Sequence, residues 1–183
     1  MSQNNTKTKI IDLTIQEISQ KSWQSFSLRP LLRQLGLTTG AFYKHFKDKD
    51  DLFKIVSKQL SHDIYQNIYT KIKTAPNSQE ALLQLGWSLL TYFQEQPEVM
   101  DFLFFNPSVN YLYQSNTTEA NDFELYNLTQ QIIVQLVFNP HERDEFFIKI
   151  WSFIQGYGFL IKNKIVLPDR NLLKSTLKQF LGE

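Results

Sequence analysis

The sequence predicts an all-α fold: a three-helix head containing a helix-turn-helix, then a larger helical body, about nine helices in all. Three observations carry this reading. Apolar residues recur three and four apart through most of the chain, the spacing that lines one face of a helix. No segment shows the alternation of a half-buried strand. Between two short helical patterns, Gly36-Leu37-Thr38 supplies in turn a helix stop, a packing anchor and a cap.

The elements follow in order. Ile10, Ile11, Ile15 and Ile18 make a first amphipathic helix over roughly residues 7–20, after which Trp23 and Phe26 plug a turn. Ser27 caps a second helix buried by Leu28, Leu31, Leu32 and Leu35. Pro30 is tolerated there because its missing N–H falls in the first turn. Leu28 to Phe46 therefore reads as helix, tight turn, helix. Asp48, with Asp51 three residues on, starts a long helix whose stripe runs from Leu52 to Ile72. Lys49 lies at the unfavourable end of that helix's dipole, a placement that makes sense where a phosphate docks. Further helices follow from Ser78 to about Phe93, from Pro97 to Phe105, from about Glu119 to Val137, from Glu142 to Lys162, and from Pro168 to Gly182. Residues 106–118 lack a pattern and read as a loop. The division expected is a head over residues 1–50 and a body over 51–183.

Charge divides the chain in a similar way. Residues 1–60 carry 10 lysines and arginines against 5 acids, whereas residues 61–183 carry 9 against 13. A basic front and an acidic remainder point to a polyanion-binding head and a body with another task. The absence of cysteine excludes disulfides, thiolate catalysis and sulfur-ligated metals. No apolar run suits a signal peptide or a membrane span, so a cytoplasmic location and no membrane partner are expected.

The stretch Thr38-Thr39-Gly40-Ala41-Phe42-Tyr43-Lys44-His45-Phe46 carries the chemistry. Phe42 and Phe46, four apart, bury one face of a helix. Thr39, Gly40, Tyr43, Lys44 and His45 give the other face small groups, hydroxyls and cations, as contact with a nucleic-acid groove requires.

With its flanks, from Ser27 through Gly36 to Asp48-Lys49-Asp50-Asp51-Leu52-Phe53, this run resembles the DNA-binding signature of the tetracycline-repressor (TetR) family. That signature is a Gly-Val-Ser-x-Gly-Thr-Leu-Tyr-x-His-Phe run followed by x-x-Lys-Glu-Glu-Leu. The resemblance covers the first third of the chain and departs from the family's habit at Ser22, Pro30 and Leu32. It implies a DNA-facing set of Thr38, Thr39, Gly40, Tyr43, Lys44, His45 and Lys49. In this set Tyr43, His45 and Lys49 hold phosphates and the start of the recognition helix meets base edges. It further implies a homodimer through the last two long helices, a double-stranded operator, and a ligand pocket in the body.

Nothing in the residues supports catalysis, a cofactor or a metal site. There is no nucleophile elbow, Walker loop or His-Glu-x-x-His, and His45, His62 and His141 lack ligand spacing. Gly156 and Gly158 suggest a close helix neighbour, within the chain or across a dimer. The aromatic residues are core by default. A small apolar or aromatic effector would find Trp87, Phe102, Phe105, Tyr126 and Trp151 around it, with Gln155 as a polar handle. The expected function is a homodimeric DNA-binding regulator, most simply a repressor released by such an effector. The alternative is a helical regulator whose body recruits a protein partner.

Overall fold

The computed structural model describes residues 3–109 and 123–183. Among them the chain forms nine α-helices and no strand: α1 Gln3–Gln20, α2 Leu28–Gln34, α3 Thr39–Tyr43, α4 Lys49–Ile72, α5 Ser78–Glu95, α6 Pro97–Phe105, α7 Glu124–Leu136, α8 Pro140–Lys162 and α9 Arg170–Leu181. A 3-10 turn at Trp23–Ser25 joins α1 to α2. The expected resumption of helix near Glu119, and most of the expected loop, lie outside the described residues.

Two compact units emerge, one of Met1–His62 with Glu98–Asp122, the other of Asp63–Pro97 with Phe123–Glu183. The expected division at residue 50 falls in the first turn of α4, whereas the compact units divide farther along that helix.

In the first unit, α2 ends as the glycine predicts. Gly36 takes φ 65°, Leu37 N–H donates to Leu32 O at 2.8 Å, and Gly36 N–H donates to Arg33 O at 3.1 Å. These bonds satisfy carbonyls that the helix end leaves without partners, and the left-handed residue turns the chain toward α3. Asp48 caps α4 by accepting from Asp51 N–H at 2.8 Å, while Asp51, too short to complete the usual reciprocal box, accepts from Lys47 N–H at 3.0 Å. Phe53, fully buried, meets Phe26 at 5.2 Å and Phe102 of α6 edge-on at 5.1 Å.

In the second unit α5 packs against α7, α8 and α9. Asn77 caps α5, accepting from Glu80 N–H at 2.9 Å. Asn139 caps α8, which begins at Pro140 because the ring fits a position whose N–H has no intrahelical partner. Asp169 caps α9. The Tyr157 hydroxyl ties down the connection between α8 and α9, accepting from Asp169 N–H at 2.8 Å and donating to Leu167 O at 2.9 Å. Gly158 answers the close approach expected of the glycine pair, since a Cβ there would lie 2.3 Å from the Phe93 ring. Gly156 is exposed, with nothing within 4 Å of that position.

Candidate nucleic-acid interface

Helix α3 is anchored from one side. Phe42 and Phe46 are almost fully buried and stack at 5.0 Å with their planes 23° apart. Thr38 starts the helix, its Oγ1 accepting from Ala41 N–H at 3.3 Å. With that face turned inward, helical geometry sends the intervening residues outward. Thr38, Thr39, Gly40 and Lys44 are exposed, and Tyr43 is 59% exposed with its ring edge on Phe42 at 5.3 Å. His45 is half-buried, edge-on to Phe46 at 6.4 Å. The outcome is a short ridge carrying hydroxyls, a lysine and an imidazole, with a glycine where close approach needs least bulk.

Lys49 differs from the rest of the predicted set. Its Nζ donates to Phe26 O at 3.3 Å and lies 4.9 Å from the Phe53 ring centroid and 5.4 Å from that of Phe26. An accepting carbonyl and two π faces account for a cation at the positive end of its own helix without any phosphate. The bond to the Phe26 carbonyl occupies one of the three ammonium donors of Lys49.

Sequence reasoning passed over Lys47, exposed between His45 and Lys49 in the chain, and Asp101. Asp101 is 8% exposed and accepts from the indole N–H of Trp23 at 2.8 Å. The available signal was a lone carboxylate within the otherwise apolar run from Val99 to Phe105, since a buried charge demands a donor.

The residues expected around an effector divide between the two compact units. Phe102 and Phe105 belong to the first unit, where Phe102 is spent against Phe53. Tyr126 and Trp151 are joined through Phe147, which meets Tyr126 edge-on at 5.1 Å and stacks on Trp151 at 5.4 Å. Trp151 also lines an apolar cavity with Leu82, Gly86, Leu89, Ile154 and Leu173, whose volume is about 20 Å³. That holds roughly one water. Trp87 lines a separate, open cleft, and Gln155 is half-buried on α8. No helix among the described residues is long and apolar enough to cross a membrane.

The short second helix, the glycine turn and the outward ridge of α3 define a helix-turn-helix protein. Residues 10–56 match the family model described as bacterial regulatory proteins, tetR family. Residues 10–56 are thus similar to the helix-turn-helix head of TetR-family regulators, the sequence match resting on the head alone. It is 44% identical over 48 residues to the HTH-type transcriptional regulator AcrR of Shigella flexneri, covering 26% of this chain and 22% of that protein. It is 29% identical over 86 residues to an HTH-type transcriptional regulator of Staphylococcus aureus (strain USA300), covering 44% of this chain and 45% of that one. The chain thus spans less than half the length of these relatives. At the level of fold the likeness extends through the body. FadR from Bacillus subtilis, solved in complex with stearoyl-CoA, superposes with a TM-score of 0.68 at 16% identity, covering 95% of this chain and 97% of that one. A protein of unknown function from Rhodococcus sp. RHA1 gives 0.74 at 13% identity, covering 96% and 93%.

Proposed function

We propose that the protein is a sequence-specific DNA-binding transcriptional regulator of the cytoplasm, a repressor, in which residues 1–50 form the DNA-binding head. The observation that carries this reading is the ridge of α3, where Phe42 and Phe46 face inward and Thr38, Thr39, Gly40, Tyr43 and Lys44 outward. Phosphate contacts from Tyr43, Lys44 and His45 fix the register, while Thr39 and Gly40 approach base edges.

The active species is a homodimer through α8 and α9. Ile148 is 61% exposed, Phe159 46%, Leu160 37% and Leu172 45%, and Gly156 leaves open space on the same helix as the first three. Burial of these four side chains against a second copy would remove them from water. Two heads then read half-sites roughly 34 Å apart or a multiple of it.

A small apolar or aromatic effector releases the operator by binding more tightly to the state that cannot bridge both grooves. The solved complex of the neighbour FadR with stearoyl-CoA supports ligand control in this fold. A site in the cavity beside Trp151 would require the surrounding helices to part, since the closed space is far below the ~300 Å³ of an ordinary ligand pocket. Selection of bound duplexes from a random pool by the purified protein tests the reading. It should return a sequence with two-fold symmetry, and recovery of no enriched sequence would refute it.

A further inference from the structure

Helix α1 brings a cation to the edge of the ridge on α3. Ile10, Thr14 and Ile18 are buried along one face of α1, at the four-residue steps of a helical stripe. Lys7 is the next position of that stripe toward the N-terminus, where another apolar side chain would be expected. The lysine is half-buried, and its Nζ lies 5.8 Å from the centre of the Phe46 ring. Its four-carbon stem covers apolar surface while the ammonium stays at the rim. The same ring meets His45 edge-on at 6.4 Å, so an imidazole and an ammonium flank one buried aromatic just past the end of α3.

Shielding Phe46 does not need a charge, and 5.8 Å is near the outer limit of about 6 Å for a cation–π contact. Among the described residues Lys7 makes no ion pair, whereas Lys21 at the other end of α1 is paired with Glu17 at 3.6 Å. The ammonium therefore has donors to spare beside a residue of the DNA-facing set.

We infer that Lys7 is a further DNA contact: its ammonium binds a backbone phosphate of the strand that His45 touches, so that α1 and α3 hold the same stretch of backbone from either side of Phe46. The inference rests on the proposed DNA-binding function and adds to it a contact from outside the helix-turn-helix. Such a contact fixes position on the duplex and carries no base preference.

The experiment measures the affinity of the full chain for the selected duplex and for a scrambled one across a salt series. Lys7→Met keeps the stem over Phe46 and removes the charge. It should weaken both duplexes alike by about 5- to 10-fold at low salt and lower the slope of log K against log salt by about 0.9, the share of one phosphate, with the thermal midpoint close to the parent's. Lys7→Arg should restore the slope. Lys9→Gln removes an exposed charge from the same turn but from another face of α1, and should leave the slope as it is. A slope unchanged by Lys7→Met, or an equal loss in Lys7→Met and Lys9→Gln, would overturn the inference while leaving the α3 reading in place. A parent protein that binds neither duplex would remove the DNA reading and this contact with it, a result visible before any variant is compared.

Discussion

The indole N–H of Trp23 donates to Oδ2 of Asp101 at 2.8 Å, a bond that spans 78 residues of sequence. It joins the 3-10 turn that follows α1 to α6, and both partners lie in the first compact unit. A carboxylate 8% exposed in an apolar helix needs its donors, and Trp23 is one of them. Trp23→Phe keeps an aromatic group, smaller than the indole, and removes the N–H. It should cost about 1–3 kcal/mol in urea unfolding, and the Trp23→Phe/Asp101→Leu double variant should cost less than the two single changes summed.

The glycines of α8 should respond in opposite ways. Gly158→Ala places a methyl 2.3 Å from the Phe93 ring and should destabilise the fold by about 1–3 kcal/mol through overpacking. Gly156→Ala meets open space and should stabilise the isolated chain by up to about 1 kcal/mol through helix propensity. Thermal unfolding of the two variants side by side checks both signs.

Lys49 donates to the Phe26 carbonyl in the free protein and meets a phosphate in the proposed complex. If that contact forms, Lys49→Ala should weaken every duplex alike and lower the slope of log K against log salt by about 0.9. Lys49→Met keeps the stem over Phe26 and Phe53, so it should lose less thermal stability than Lys49→Ala while losing the same DNA affinity. An unchanged salt slope in both variants would leave Lys49 as a brace within the head.

The proposed dimer rests on apolar side chains of α8 and α9 that remain exposed in the single chain. Phe159→Glu puts a charge into that face and should shift sedimentation from dimer to monomer without loss of helix signal. A parent protein that sediments as a monomer at micromolar concentration would contradict the dimer.

Much of the fold was legible in the residues because local chemistry decides it. Gly36 stops α2, Thr38 starts α3 and Asp48 starts α4, as their side chains require. The placement of Phe42 and Phe46 followed from spacing alone, and with it the outward ridge. What was not legible depends on contacts distant in sequence. No pattern shows that Phe102 is spent on Phe53, that Trp87 and Trp151 face different spaces, or that Lys49 turns to the Phe26 carbonyl. An aromatic side chain looks the same in a sequence whether it fills a core or lines a cleft. Its neighbours decide which.

The most direct test is titration of the selected duplex across a salt series with the parent, Tyr43→Ala and Thr39→Ala. The parent's affinity should fall steeply and linearly on logarithmic axes, as release of phosphate counterions demands. Tyr43→Ala should weaken all duplexes together by about 10-fold, and Thr39→Ala should alter the ranking of base-substituted duplexes. A parent protein that ignores every duplex at low salt, or variants indistinguishable from it, would contradict the claim that the outward face of α3 grips DNA.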